Sequence, residues 1–280
     1  MKDHELSLRV LETPEEITRT EALQKIVWQC NDAEVTPGNM LIAAVHGGGL
    51  AIGAYLGDEM VGFVFNFPGF YHTPDGPRLK QCSHMLAVLP EYRDRDIGFR
   101  LKRAQWQMVR KQGIDRITWT FDPLGSRNAH LNVVKLGAVC NTYRRDCYGP
   151  MRDGINQGLP SDRFEVDWWV NSRRVEHRLS KRPRIRLKLK DFEKAQALFV
   201  HAFSPLPAYA PDETPVVLVE IPADFASLRA AQPALALEWR FYTREIFETL
   251  FEAGYLVTDF VHESEPAQSF YVLAHGEATL

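Results

Sequence analysis

Arginine and aspartate alternate in a short turn within residues 84–100, HMLAVLPEYRDRDIGFR. An apolar segment ends at Pro90 before this turn, and apolar residues recur at helical spacing after it, which predicts a strand, a turn and an amphipathic helix. The first N–H groups of a helix lack intrahelical partners, and the helix dipole places partial positive charge there. The sequence therefore predicts a phosphate-binding junction that would suit a nucleotide-bearing cofactor.

These residues resemble the GNAT acyltransferase superfamily, in which an R/Q-x-x-G-x-G/A loop between the fourth strand and the third helix binds coenzyme A. The matching register consists of Arg93, Asp94, Arg95, Asp96, Ile97 and Gly98. Residues 57–69 resemble the family's second hairpin, and residues 117–139 resemble its fifth strand, Asn-led helix and Gly-ended turn. Three segments in family order are more specific than one loop, and together they span most of residues 6–150.

The resemblance implies an α/β fold with a mixed sheet, formed by a GNAT-like acyl-CoA-binding domain over residues 1–170. A smaller C-terminal α/β lobe would follow over residues 171–280. The implied activity is transfer of an acetyl or short acyl group from acetyl-CoA, or another acyl-CoA, to a small-molecule or peptide amine by direct attack in a ternary complex. The alternative is a catalytically silent relative that binds acyl-CoA in a regulatory or scaffolding role.

Asp96 stands where the family loop has its first glycine, which lets the backbone approach phosphate closely. Its carboxylate is expected to repel a diphosphate. Two interpretations stay open from the sequence. Either Asp96 weakens cofactor binding, or its side chain caps the helix that begins near Ile97.

The resemblance also assigns residues along the cofactor. Leu86 and Ala87 would line the pantetheine arm, and the backbone N–H of Val88 would stabilise the oxyanion that forms during acyl transfer. Asn128 matches the family's cofactor-side asparagine, although it could equally be the N-cap of its own helix.

Acid–base chemistry has a less complete set of candidates. The family often has a carboxylate at the position of Cys82, but His84 shares that face of the strand by its period of two and can accept a proton near neutral pH. Val133 stands where the family commonly has a tyrosine. Tyr143 is the candidate proton donor on the next strand; Tyr148 and unaided departure of the thiolate are the alternatives. Asp122 is a candidate for binding the amine, with an Asp-Pro turn as the structural alternative.

Composition sets modest limits on function. The chain has 280 residues, 45% of them hydrophobic and 25% charged, with a net charge of −3, as in ordinary soluble proteins. That charge predicts no general attraction to nucleic acid or to an anionic membrane. The scattered cysteines and histidines predict no metal site. The N-terminus is too charged for a signal peptide, so we expect a cytoplasmic location. The oligomeric state is left open.

The C-terminal part combines a basic and an acidic segment. Residues 171–190 contain nine lysines or arginines, and residues 212–265 contain eleven acidic residues against three arginines. We expect the two segments to pair with each other, because the basic one lacks the interleaved aromatic residues of single-stranded nucleic-acid sites. A Pro-rich connector is predicted at 204–222, a helix at 233–253, and then a hairpin. Helix, glycine, strand and strand repeat the order after Asn128, so this lobe is interpreted as either a degenerate half-GNAT repeat or an appended α/β lobe that packs on the sheet and completes the substrate cleft.

Overall fold

The computed structural model describes residues 5–151, 158–180, 187–211 and 213–276. The chain separates into two compact units, the first comprising Met1–Trp119 and Met151–Gln157 and the second Thr120–Pro150 and Gly158–Leu280. The predicted domain boundaries, 1–170 and 171–280, come from the family resemblance, whereas these units are defined by compactness. The predicted boundaries therefore stay a prediction. The predicted α/β class with a mixed sheet is confirmed.

The first unit carries five strands in the order β1-β2-β3-β4-β5. Its elements along the chain are β1 (Leu6–Val10), α1 (Pro14–Trp28), α2 (Gly38–His46), β2 (Leu50–Leu56), β3 (Glu59–Thr73), β4 (Gly76–Val88), a 3₁₀ turn (Pro90–Tyr92), α3 (Ile97–Lys111) and β5 (Arg116–Phe121), whose last two residues belong to the second unit. Strands β1 to β4 are antiparallel neighbours, whereas β4 and β5 run parallel, as predicted for the centre of a mixed sheet.

Local signals explain where these elements begin and turn. Thr13 followed by Glu16 three residues later predicts a capping box, and the structure has it at the start of α1, with each side chain bonded to the other residue's backbone N–H. The β2–β3 hairpin turns at Gly57, which has a φ of 63°. Two apolar clusters cover opposite faces of the sheet, one packed under α1 and α2 and the other under α3. Helix α2 was not predicted from the sequence.

The described part of the second unit contains six strands in the order β7-β6-β10-β11-β9-β8. Strands β8 and β9 run parallel, and the other neighbours are antiparallel. Its elements are α4 (Ser126–Ala129), a π-helical segment (His130–Lys135), β6 (Val139–Arg144), β7 (Arg163–Trp169), α5 (Arg173–Leu179), α6 (Leu189–Lys194), β8 (Leu198–Val200), β9 (Val216–Ile221), α7 (Phe225–Ala231), α8 (Pro233–Glu252), β10 (Tyr255–Ser264) and β11 (Ala267–His275). The predicted C-terminal helix and hairpin are confirmed as α8 with β10 and β11.

The strand order after β9 repeats the order after β5. In each case one or two helical segments follow the strand and an antiparallel hairpin follows them, β6 with β7 after β5 and β10 with β11 after β9. Strand β8 also runs parallel to β9, as β4 does to β5. This order supports the half-repeat interpretation, which stays a proposal.

Three details differ from the sequence predictions or limit them. The Pro-rich connector predicted at 204–222 is wrong over its last residues, because β9 occupies Val216–Ile221. The sequence predicts a crossover helix over residues 127–136 that ends at Gly137; this segment begins as an α-helix but continues in π geometry from His130. The alternating basic run falls partly on residues 181–186, which lie outside the described residues.

One predicted contact between the basic and acidic segments is present. The Arg178 guanidinium lies 2.6 Å from the Asp259 carboxylate, and both side chains are largely buried. Among the helices in the described ranges, none is both long and apolar enough to cross a membrane.

Candidate functional site

The loop between β4 and α3 has an unusual backbone. Asp94 and Asp96 both adopt the left-handed conformation, with φ of 64° and 56°. Alternation of left-handed and ordinary residues turns successive N–H groups toward one side and creates a concave anion site. Helix α3 starts directly after it at Ile97, as predicted, so the loop and the positive end of the helix dipole lie together.

The capping interpretation of Asp96 is wrong. Asp96 is the N-cap residue of α3, but within the described part of the chain its side chain makes no capping hydrogen bond. An N-cap side chain reaches the N–H groups of the first turn from an extended backbone, whereas Asp96 is left-handed. The first turn of α3 is therefore not capped by this carboxylate.

The remaining residues of the loop surround this backbone. The Arg93 Nε donates to the Val88 carbonyl at 3.4 Å, and the Arg95 guanidinium lies 5.3 Å from the centre of the Tyr92 ring. Arg93 and Arg95 are exposed, Gly98 is half-buried, and the Ile97 side chain is buried under the sheet. The six residues of the predicted motif thus form one continuous, largely exposed loop in which two arginines alternate with two aspartates.

Strand β4 presents a free edge next to this loop. Its parallel pairing with β5 consists, in the described residues, of Gln81 with Ile117 and Cys82 with Thr118. On its other edge, the Leu89 N–H donates to the Val61 carbonyl of β3 at 2.9 Å. Because N–H groups alternate in direction along a strand, the Val88 N–H points toward the β5 edge, where an acyl oxygen would need a donor.

Side chains near the end of β4 divide between the two faces of the sheet. Leu86 and Val88 pack with the cluster under α3, whereas Ala87 is fully buried in the cluster under α1 and α2. Only the side chains of Leu86 and Val88 therefore face α3, and lining of a pantetheine arm by Ala87 would involve its backbone.

His84 occupies a bulge in β4. Phe65 pairs with Met85 and Asn66 pairs with Ser83, so His84 is the extra residue on its strand. Its ring centre lies 6.5 Å from that of Phe65 and 5.9 Å from that of Phe67. One side of the ring stays exposed, but the neighbouring rings remove water from the other side, and this desolvation lowers the pKa of His84. The imidazole is accordingly neutral at pH 7 and able to accept a proton.

A buried polar network lies on the opposite face of the same bulge, and sequence reasoning missed it. Its members are Asn66, Gln81, Ser83, Lys102 and Gln105. The Lys102 Nζ donates to the Ser83 hydroxyl at 3.0 Å and lies 3.6 Å from the centre of the Trp119 ring. Gln105 donates to Asn66, and Asn66 donates to Gln81. These hydrogen bonds connect α3 to β4 at the bulge. Asn66, within the apolar run of β3, was the available signal.

Burial gives Lys102 a testable pH dependence. Desolvation lowers the pKa of Lys102 well below its ordinary value, so between the folded and unfolded pKa values the unfolded chain binds more protons. Stability should consequently rise with pH toward about 10.4, the unfolded lysine value. We expect the free energy of urea unfolding of the wild type to increase relative to Lys102→Met from pH 7 to pH 9, by at most about 1.4 kcal/mol per pH unit. Parallel curves would contradict this, and Lys111→Met, on the exposed end of α3, is the control.

The other predicted site residues belong to the second unit. Asp122 accepts two hydrogen bonds from Arg240, at 2.9 and 2.6 Å, and one from the Leu124 N–H, which is the turn expected of Asp-Pro. Asn128 is exposed and is the third residue of α4, whose N-cap is Gly125, so the N-cap alternative is wrong.

Tyr143 is part of an ion-pair cluster in the second unit. Its hydroxyl donates at 2.8 Å to Asp162, which also accepts two hydrogen bonds from Arg244. Burial and the adjacent carboxylate raise the pKa of Tyr143. Burial alone would raise the pKa of Asp162, but its hydrogen bonds lower it. Tyr143 is thus a weak acid whose proton already has a partner, and its role as proton donor stays a prediction.

The absence of a metal site stays a prediction. In the portion of the chain that the structure describes, no group of three or more His, Cys, Asp or Glu side chains is arranged to hold a metal ion.

The order of elements from β1 to β7 is the order that the family resemblance implied. Residues 57–69 form the turn after β2 and the larger part of β3, the loop joins β4 to α3, and β5 leads into the helix that carries Asn128. The order of elements is therefore GNAT-like, while the predicted division into a first domain and a C-terminal lobe stays a prediction.

Comparisons with known proteins yield solved structures only. No protein-family model matches the chain, and no curated protein matches it significantly. It is similar to the ribosomal-protein-S18-alanine N-acetyltransferase of Escherichia coli at 14% identity, covering 65% of this chain and 100% of that one, with a TM-score of 0.46. It is also similar to Arabidopsis thaliana Naa50 at 20% identity, covering 58% and 97%, with a TM-score of 0.44.

A third similar structure is Arabidopsis thaliana NAA60 in complex with acetyl-CoA, at 14% identity, covering 59% of this chain and 99% of that one, with a TM-score of 0.47. Since all three TM-scores are below 0.5, the fold assignment depends on the element order and register rather than on these likenesses.

Proposed function

We propose that this chain is an acyl-CoA-dependent N-acyltransferase that moves an acetyl or short acyl group to an amine. The observation that carries the proposal is the β4–α3 loop, with left-handed backbone at Asp94 and Asp96, directly ahead of the N-terminus of α3 and beside an edge of β4 that continues past its described pairs with β5. Backbone N–H groups in such a loop suit a diphosphate, and the strand edge suits an amide-containing arm.

The reaction requires a neutral amine, a donor for the oxyanion and a leaving thiolate. The amine nitrogen attacks the thioester carbon, the carbonyl oxygen gains negative charge, and the C–S bond then breaks. The Val88 N–H is directed to receive that oxygen, and His84 is the group proposed to take the proton released by the amine. Because a thiol has an ordinary pKa of about 8.5, its thiolate is stable enough to leave without an obligatory proton donor.

Binding and turnover are tested separately. Saturating acetyl-CoA, at about 100 times its Kd, should stabilise the folded state by about 2.7 kcal/mol and raise the melting temperature. S-acetyl-pantetheine, which lacks the diphosphate, is the matched control and should give a much smaller shift. Thiol release with a panel of amines then measures transfer against a blank without amine.

The outcomes separate the two function classes. Absence of any shift with acetyl-CoA would contradict the proposal. A shift without amine-dependent thiol release would instead favour the silent relative, for which Cys82 in place of a carboxylate is the specific observation.

Asp96 is expected to weaken this binding. Replacing Asp96 by glycine removes a negative charge next to the diphosphate and relieves a left-handed backbone that glycine adopts without cost. We expect acetyl-CoA to bind about five-fold more tightly, since such a charge at a helix N-terminus contributes about 1 kcal/mol. Calorimetry measures the change. Asp96→Asn keeps the preference for the left-handed backbone and so isolates the charge; equal affinity in all three proteins would refute the repulsion.

A further inference from the structure

The surroundings of His84 indicate which kind of amine the site accepts. Phe65 and Phe67 alternate along β3, so their rings stand on one face of the sheet, and the bulge in β4 directs His84 to the same face. Phe65 is buried, whereas Phe67 is 36% exposed. A ligand that approaches His84 from solvent therefore meets an aromatic surface.

The next position of this face carries no side chain. Gly69 follows Phe67 by two residues, and a Cβ placed there would lie 2.9 Å from the Cys82 Sγ. The absence of a side chain keeps the outer flank of Phe67 open and allows the close approach of Cys82. Lys80 extends across Gly69, with its Cε 3.8 Å from the same Cβ position. One cationic side chain thus borders an otherwise apolar surface.

We propose that the acceptor is a monoamine with an aromatic or aliphatic skeleton next to its amino group, and that Phe67 selects it. This inference rests on the proposed function. The apolar skeleton would cover Phe67 and gain the free energy of removing both surfaces from water. An aromatic face also attracts an ammonium group before deprotonation.

The same surroundings argue against two other amine classes. A polyamine would bring additional positive charge toward Lys80, which repels it. A small hydroxylated amine would leave Phe67 exposed and would gain little free energy from covering its apolar surface. Desolvation beside the rings also disfavours the charged form of the amine, which helps His84 to remove its proton.

The experiment compares three amines, 2-phenylethylamine, ethanolamine and spermidine, as acceptors of acetyl from acetyl-CoA. We expect kcat/KM for phenylethylamine to exceed that for each of the others by about tenfold or more. Phe67→Ala should reduce this ratio about tenfold, and Phe67→Leu should retain part of it because leucine keeps apolar area. Phe70→Ala is the matched control, since Phe70 is on the same strand, 67% exposed and directed to the opposite face.

Each outcome decides a different statement. If the protein does not bind acetyl-CoA, the proposed function fails and this inference falls with it. If transfer occurs but the ratio is the same in Phe67→Ala and Phe70→Ala, or if ethanolamine or spermidine is preferred, the inference alone is overturned. If acetyl-CoA binds without turnover, calorimetry of the three amines with the CoA-loaded protein applies the same criteria to their Kd values.

Discussion

Replacing His84 by alanine is expected to reduce kcat for amine-dependent thiol release by about 10²- to 10³-fold, because a positioned proton acceptor contributes that much to transfer. The Kd for acetyl-CoA should stay nearly unchanged, since the loop proposed to bind the diphosphate is formed by residues 89–98 and not by this side chain. Stopped assays at saturating acetyl-CoA and calorimetry measure the two quantities. His72→Ala is the control, because His72 is another exposed histidine on the same hairpin.

The pH profile gives an independent readout of the same residue. A base acts in its neutral form, and desolvation lowers the pKa of His84 below its usual 6.5. The acidic limb of the profile for the wild type should therefore lie below pH 6.5, with no loss of rate between pH 7 and pH 8 from this group. The limb should disappear in His84→Ala. Retained turnover with an unchanged limb would remove His84 from the mechanism.

Replacing Asp122 by alanine is expected to lower the free energy of unfolding of the second unit by about 3–5 kcal/mol. The Arg240 side chain is only 1% exposed, and its guanidinium donates to both oxygens of Asp122. Without that carboxylate the buried cation loses its counter-ion, and the desolvation of the guanidinium is no longer offset. Urea unfolding followed by tryptophan fluorescence measures the loss.

Two comparisons make this prediction specific. The double variant Asp122→Leu/Arg240→Met should recover most of the stability, because removal of both charges avoids a buried unpaired one. Glu248→Ala breaks the more exposed pair with Arg145, whose side chain is 62% exposed, and should cost at most about 1 kcal/mol. An Asp122→Ala protein of wild-type stability with a raised KM for the amine would instead support the amine-binding role.

The elements that carry the site could be predicted because their signals are local. Pro90 and the apolar spacing after Asp96 located both the loop and the first residue of α3. Gly57 located the turn of the β2–β3 hairpin, and Thr13 with Glu16 located the start of α1. Each of these depends on a few neighbouring residues, which a sequence displays directly.

What could not be predicted depends on pairing between distant residues. The bulge at His84 is a one-residue shift between β3 and β4, and no residue type marks it. Lys102 has the spacing of an exposed helix position, but it is buried because Ser83 and Trp119 provide its contacts. The capping assignment of Asp96 failed for a related reason, since its backbone conformation is fixed by the whole loop.

The outermost strands of the two units bear on how the protein behaves at high concentration. Strand β1 ends the order in the first unit and has five residues, and β8 ends the order in the second and has three. Edge strands this short expose few unpaired backbone N–H and C=O groups with which a strand of a second chain could pair. Intermolecular strand addition is therefore disfavoured at β1 and at β8. Lengthening β8, for example by redesigning the residues after Val200 as an apolar strand, would be expected to promote aggregation.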